Sequence, residues 1–112
     1  MGTMKESDWK LLRKLKPVLL ERLCEHILQE CREAIAEEDG SAYERYLHLF
    51  ALLRTRNDDV AICFDDHKRS NAILKLAAIY QRGLLEDEEL AQFSEVTQAT
   101  VRALSTPEGG SA

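Results

Sequence analysis

Glycine and proline are scarce in this 112-residue chain, which contains five glycines and two prolines. Both residues interrupt helices, so their scarcity favours helical segments joined by a few turns. The sequence also lacks apolar and polar residues that alternate between turn-forming pairs, and we therefore expect no strands. The fold class predicted from these two absences is all-α.

Long hydrophobic runs are missing as well. No apolar stretch approaches the ~18 residues that a membrane-spanning helix needs, and no secretory signal pattern occurs at the N-terminus. Cysteine is sparse, and Cys24 and Cys31 stand seven residues apart on one predicted helix. That spacing of about 10 Å is too long for a disulfide. We expect a cytoplasmic protein with reduced thiols and no membrane span.

The familiar signatures of catalysis are absent too. The sequence has no G-x-S-x-G, no glycine-rich phosphate loop, no H-E-x-x-H and no C-x-x-C. These patterns mark common nucleophilic, nucleotide-binding and metal chemistries, so their absence favours a non-catalytic protein. No cofactor is expected. The net charge of −5 disfavours non-specific binding to nucleic acid.

What the chain does contain is typical of a globular domain, with 45% hydrophobic and 31% charged residues. Its length suits a single hydrophobic core. We predict one domain over residues 1–104, an antiparallel bundle of five or six helices, followed by a flexible tail over 105–112. Residues 1–3 are either natural or a cloning remnant that precedes a start at Met4.

Two helices are predicted in the first third of the chain. The first begins at Ser7 or Asp8 and ends near Lys16. Pro17 favours the first position of a helix, so we expect a bend there and a second helix to Glu38. The second helix carries the clearest apolar stripe in the sequence, formed by Leu20, Leu23, Cys24, Ile27, Leu28, Cys31 and Ile35.

A capping box predicts the next helix. Ser41 and Glu44 have the S-x-x-E spacing in which each side chain satisfies a backbone amide, so a helix of about sixteen residues should begin at Ala42. Asn57 to Asp59 should end it. Its predicted buried stripe is Tyr43, Tyr46, Leu47, Phe50 and Leu53.

The segment from Asp59 to Arg82 has apolar ends and a polar middle, and Gly83 should terminate it. It is either one helix or two helices joined by a link, with Ser70 or Asn71 capping the second. We favour one continuous helix because neither glycine nor proline interrupts it. After Gly83, Asp87 is a predicted N-cap of a short helix and Ser94 a predicted N-cap of a last helix. Whether this part of the chain forms one helix or two stays open.

A continuous helix would direct a polar band towards the core, formed by Cys63, Asp66, His67, Ser70 and Asn71. Buried polar groups need partners, so this band is either a hydrogen-bonded structural network or a ligand or partner site. Cys63 and His67 are four residues apart and could ligate one ion. Two ligands do not make a site, and no metal is predicted.

The leading hypothesis is a non-catalytic helical module that binds a protein partner or a second copy. A homodimer is suggested by Leu52, Leu76 and Ile79, which fall outside the predicted inner stripes. One alternative is a small regulator that contacts nucleic acid through basic residues of the first helix, namely Lys10, Arg13, Lys14 and Lys16. The other is a small-ligand or metal site around Cys63 and His67.

Overall fold

The computed structural model describes residues 3–105, and this part of the chain is all-helical, without strands. Five helices follow one another: α1 (Glu6–Ala36), α2 (Ala42–Phe64), α3 (Ala72–Gln81), α4 (Asp87–Leu90) and α5 (Glu95–Ser105). The predicted all-α class is confirmed. Residues 1–2 and 106–112, which hold most of the predicted cloning remnant and tail, lie outside the described residues.

Helix α1 runs without interruption through Pro17, so the predicted bend and the division into two helices are wrong. Proline removes one backbone hydrogen bond from a helix, but packing can hold the helix together. Leu12, Leu19 and Leu23 recur at helical spacing on both sides of Pro17, and all three are buried in one core. The core therefore keeps the two halves of α1 in line.

Helix α2 begins as predicted. The Ser41 hydroxyl accepts from the Glu44 amide at 3.1 Å, and the Glu44 carboxylate accepts from the Ser41 amide at 2.9 Å. The predicted end at Asn57 to Asp59 is wrong, because α2 continues to Phe64. Asp59 accepts hydrogen bonds from Arg56 and from Arg82, the residue that follows α3, so its carboxylate is engaged in side-chain contacts rather than in capping.

The favoured continuous helix over 59–82 is also wrong, and the two-helix alternative is correct. Helix α2 stops at Phe64, Asp66 takes a left-handed backbone conformation with φ of 57°, and Asn71 precedes α3. Gly83 ends α3 as predicted, with φ of 75°. The amide of Leu84 donates to the Ile79 carbonyl, which is the six-residue bond of a Schellman motif.

The last part of the chain forms two separate helices. Glu86, not Asp87, is the N-cap of α4, and its capping box is closed by Glu89. Ser94 caps α5 as predicted, accepting from the Thr97 amide at 3.4 Å. Ser105 belongs to α5 and donates to the carbonyl of Ala77 at 3.1 Å, so the predicted tail does not begin at this residue.

The two long helices form an antiparallel hairpin. Arg45 donates to the carbonyl of Ile35 at 2.9 Å, and Arg56 makes a bidentate ion pair with Glu30 at 2.8 and 3.0 Å. Residue numbers of the contact partners thus decrease along α1 as they increase along α2, which is the pattern of antiparallel helices. No helix within residues 3–105 is long and apolar enough to cross a membrane.

The hydrophobic core occupies one end of this hairpin. It is built from the first part of α1, the end of α2 and helices α3 to α5, and we call this part the head. From residue 24 to residue 62 no residue is buried. We call residues 24–58 the arm, a two-helix hairpin that extends from the head and contributes to the longest dimension of 52 Å.

Candidate interaction surface

The apolar stripe predicted to bury α2 lies on its exposed side. Tyr43, Tyr46, Leu47, Phe50 and Leu53 are 42 to 68% exposed, so their assignment to the core is wrong. Helix α2 instead meets α1 through the side that carries the two arginine contacts already described. The stripe is real, but α1 does not cover it.

Helix α1 exposes apolar side chains along the arm as well. Leu28 is 56% and Ile35 is 59% exposed, while Cys24 and Cys31 are partly exposed free thiols. Of the predicted inner stripe, only Leu23 is buried. Leu20 and Ile27 are partly buried against the core. The other positions, Cys24, Leu28, Cys31 and Ile35, form a second apolar row that is at least partly exposed.

Both rows lie on the same side of the arm. Glu30 and Arg56 mark the inner sides of α1 and α2, and each residue advances a helix by about 100°. Both rows lie roughly a quarter to a half turn from these inner residues, in the same rotational sense along each chain direction. Because the two helices run in opposite directions and face each other, that rotation brings both rows to the same side of the hairpin. We call this surface the arm face, and it consists of Cys24, Leu28, Cys31, Ile35, Tyr46, Phe50 and Leu53.

The aromatic side chains of α2 form a continuous row that includes two members of the arm face, Tyr46 and Phe50, and extends to Tyr43. Ring centroids are 6.5 Å apart between Tyr43 and Tyr46, and again between Tyr46 and Phe50. The Arg54 guanidinium lies 5.8 Å from the Phe50 ring centre, within the range of a cation–π contact. These contacts link the three rings and Arg54 along one side of α2.

Arg22 ties α1 to the segment around α4. It makes a bidentate ion pair with Glu89 at 2.7 and 2.8 Å and donates to the Leu84 carbonyl at 2.9 Å. The hydrogen bonds between Arg22 and Glu89 raise the pKa of Arg22 and lower that of Glu89. This attachment holds α4 against α1 just before the arm begins at residue 24.

An acidic cleft of about 560 Å³ occupies the opposite side of the arm, near its tip. Its lining residues include Glu30, Glu33, Glu37, Asp39, Glu44, Arg45 and His48. The hydrogen bond from Arg56 lowers the pKa of Glu30, which remains ionised. The arm thus has one apolar side and one acidic side.

The predicted polar band is divided by the end of α2. Cys63 is fully buried, and burial raises the pKa of its thiol, which disfavours a reactive thiolate. His67 is half-buried, and its Nε2 lies 2.6 Å from the Cys63 carbonyl oxygen. Because a carbonyl only accepts, Nε2 carries the hydrogen. Burial lowers the pKa of His67.

The other members of the band belong to the exposed link between α2 and α3. Asp66 and Ser70 are exposed. Asn71 donates to the Asp66 carbonyl at 2.8 Å and accepts from the Lys68 amide at 2.9 Å, which closes the link. These residues share no inward helix face with Cys63. Their use as a ligand or partner site stays a prediction.

Within residues 3–105, no group of three or more His, Cys, Asp or Glu side chains is arranged to hold a metal ion. The basic residues of the first helix follow the surface of α1. Lys10 pairs with Glu6 at 3.4 Å, Arg13 and Lys14 are exposed, and Lys16 lies near His67. Their use in binding nucleic acid also stays a prediction.

Sequence reasoning therefore found the apolar residues of the arm but assigned them to the core. The signal that separates a buried stripe from a surface one is weak in a single sequence, because both have helical spacing. A hint lies in the composition of the stripe, since two tyrosines and one phenylalanine occur within eight residues. Aromatic residues of this kind are enriched at protein interfaces.

Comparison with protein-family models, with curated proteins and with solved structures yields no match for this chain.

Proposed function

We propose that the protein is a non-catalytic helical interaction module and that the arm face binds a protein partner. One observation carries this proposal. The arm has no buried residue over 24–58, yet its two helices present two rows of apolar side chains to solvent on one side.

The size of the surface supports binding. The arm face extends along about twelve residues of α1, or roughly 18 Å, and across two helices, or roughly 20 Å. That corresponds to on the order of 350 Å², which is within the range of the largest apolar patch on a typical monomer, and such patches are often functional. At about 25 cal/mol per Å² of apolar surface, covering it contributes at most about 9 kcal/mol before the costs of association are subtracted.

The composition of the surface fits the same role. Tyr46 and Phe50 are the aromatic anchors, and Leu28 and Leu53 flank them. Charged side chains lie at the edges, where Arg54 stacks on Phe50. Aromatic residues and arginine contribute most to binding at protein interfaces, while charges are depleted from interface centres.

The finer predictions made from the sequence are part of this proposal. The antiparallel bundle of five or six helices, predicted within one chain, belongs to it, and partner helices would cover the apolar rows that α1 and α2 leave open. The free thiols of Cys24 and Cys31 suit the reducing conditions of the cytoplasm. Both statements are expectations.

Photo-crosslinking tests the proposal directly. A benzoylphenylalanine is introduced at Tyr46 or Phe50, and the matched control carries it at Glu33, on the acidic side of the same arm. We expect covalent adducts with protein from the first two positions after irradiation in the cell, and few from the control. Adducts that are absent at Tyr46 and Phe50, or equally frequent at all three, would contradict the proposed function.

A further inference from the structure

We infer that the partner on the arm face is a second copy of this chain, packed antiparallel to the first. The inference rests on the proposed function, since it identifies what the arm face binds. Its support is the area of the face, the opposite charges at the tip of the arm and near the start of α1, and the register of its two cysteines.

The area suits a weak, reversible dimer. Two copies of a face of about 350 Å² bury roughly 700 Å² together, which is below the limit of about 1,000 Å² for a stable interface and within the range of a weak one. Because each arm already consists of two antiparallel helices, two arms packed face to face make a four-helix bundle. In that bundle the partner covers Leu28, Tyr46, Phe50 and Leu53, which are exposed in one copy.

The charges at the tip of the arm and near the start of α1 have opposite signs. Exposed acidic residues surround the tip, where Glu37, Glu38 and Asp39 follow α1. Exposed basic residues lie at the base of α1, where Lys10, Arg13 and Lys14 stand. An antiparallel pair brings each acidic tip over the basic base of its partner. A parallel pair brings the two acidic tips together, which like-charge repulsion disfavours.

The register of the two cysteines agrees with the antiparallel arrangement. Centring the pair midway between Cys24 and Cys31 sets each of these residues against the other in the second copy. It also brings Glu37, where the acidic tip begins, opposite Val18, about one helical turn from Lys14, because equal steps of about 1.5 Å run in opposite directions from the centre. One placement thus pairs the two cysteines and brings the acidic tip near the basic residues.

Sedimentation equilibrium of the purified protein tests the identity of the partner. We expect a monomer–dimer equilibrium between about 1 and 200 µM. Leu28→Glu places a charge in the centre of the face and should weaken the dimer at least about tenfold. The matched control is Leu74→Glu on α3, because Leu28 and Leu74 are both 56% exposed. It should change the dissociation constant less than about twofold.

A disulfide test determines the orientation. Diamide oxidises two thiols to a disulfide and is itself reduced to a hydrazine. Only Cys24 and Cys31 are accessible to it, because Cys63 is fully buried. The unsubstituted protein should form a covalent dimer, whereas Cys24→Ser and Cys31→Ser should each form none alone. A mixture of these two variants should form the dimer again, since each supplies the thiol that the other lacks.

Three results would overturn the inference. A monomer at every concentration excludes the second copy, and so does equal weakening of the dimer by Leu28→Glu and Leu74→Glu. A disulfide-linked dimer formed by Cys24→Ser alone or by Cys31→Ser alone excludes the antiparallel arrangement. None of these results removes the proposed function, because the photo-crosslinking adducts at Tyr46 and Phe50 would then contain a different protein.

Discussion

Asp8 is a buried carboxylate, only 3% exposed, that joins the start of α1 to the start of α5. It accepts three hydrogen bonds, from the Ser94 amide at 3.0 Å and from the hydroxyls of Ser94 and Thr97 at 2.7 Å each. Burial raises the pKa of Asp8, but these hydrogen bonds outweigh it, and the pKa lies below its ordinary value. The ionised carboxylate therefore stabilises the head.

Replacing Asp8 with alanine should lower the free energy of unfolding by roughly 2 to 3 kcal/mol. The reason is that the Ser94 amide and the Thr97 hydroxyl would stay buried without an acceptor. Urea unfolding followed by circular dichroism measures the change. Asp58→Ala is the control, because Asp58 is exposed on α2, and this substitution should change stability by less than about 0.5 kcal/mol. Equal effects would contradict the role of Asp8.

Stability should fall as the pH falls, in two steps. Burial lowers the pKa of His67, with help from Lys16 and Lys75 and against the bond to the Cys63 carbonyl. The folded state thus disfavours the charged ring, and stability is lost as the pH falls below about 6.5, the unfolded pKa. The folded pKa values of Asp8 and Glu89 are also lowered, so their contribution is present above about pH 4 and is lost below it.

Urea midpoints measured from neutral to acidic pH test this dependence. In the variant His67→Gln the first step should disappear while the second remains. In the variant Asp8→Asn the second step should shrink while the first remains. A stability that rises as the pH falls through 6.5 would show that His67 is charged in the folded state, contrary to its half-buried position.

At the scale of helices, local signals predicted the ends that depend on local bonds. The capping box of Ser41 and Glu44, the glycine that ends α3 and the Ser94 cap all involve residues within five positions of each other. Such bonds form wherever the sequence supplies the groups, so they can be read from the sequence alone.

Helix ends that depend on distant residues were not predictable in this way. Helix α2 passes Asp59 because Arg82, twenty-three positions later, shares its carboxylate. It ends at Phe64, where side chains replace the missing amides: His67 donates to the Cys63 carbonyl from four positions away, and Lys75 donates to the Ile62 carbonyl at 2.8 Å from thirteen positions away. Nothing in the sequence near residue 64 indicates the role of Lys75.

Pro17 provides a test at this scale. Within a continuous helix, proline removes one backbone hydrogen bond and costs up to about 3 kcal/mol relative to alanine. Pro17→Ala should therefore stabilise the protein by roughly 1 to 3 kcal/mol, as measured by urea unfolding. If Pro17 instead opened a second helix, as the sequence suggested, the substitution would be neutral or destabilising. Glu21→Ala, an exposed position one turn later in α1, is the control.

At the scale of the whole molecule, sequence periodicity revealed which helix faces are apolar but not what covers them. The row containing Tyr46 and Phe50 has the same spacing as a core stripe, yet it lies outside the core. Conversely, Leu76 and Ile79, which suggested a dimer from the sequence, are fully buried in the head. Leu76 and Ile79 therefore do not support the dimer hypothesis, and Leu52, the third residue that prompted it, lines the acidic cleft on the side opposite the arm face.

This division into head and arm predicts an uneven distribution of stability. Local opening is governed by how much buried apolar contact an element has, and the arm has no buried residue whereas α3 has Ile73, Leu76 and Ile79. In dilute protein, amides of residues 28–56 should exchange with deuterium at least about tenfold faster than those of residues 76–81. Pairing of two arms removes the difference by covering the arm face.

Hydrogen–deuterium exchange followed by mass spectrometry, at two protein concentrations on either side of the dimer dissociation constant, measures this effect. Exchange in residues 28–56 should slow at the higher concentration, because only the paired state buries Phe50 and Leu53, while exchange in α3 should stay the same. In Leu28→Glu the arm should exchange fast at both concentrations, and in Leu74→Glu it should slow as in the unsubstituted protein. Arm amides as protected as those of α3 in the dilute monomer would mean that the hairpin is stable without a partner. The absence of buried residues would then not limit its stability.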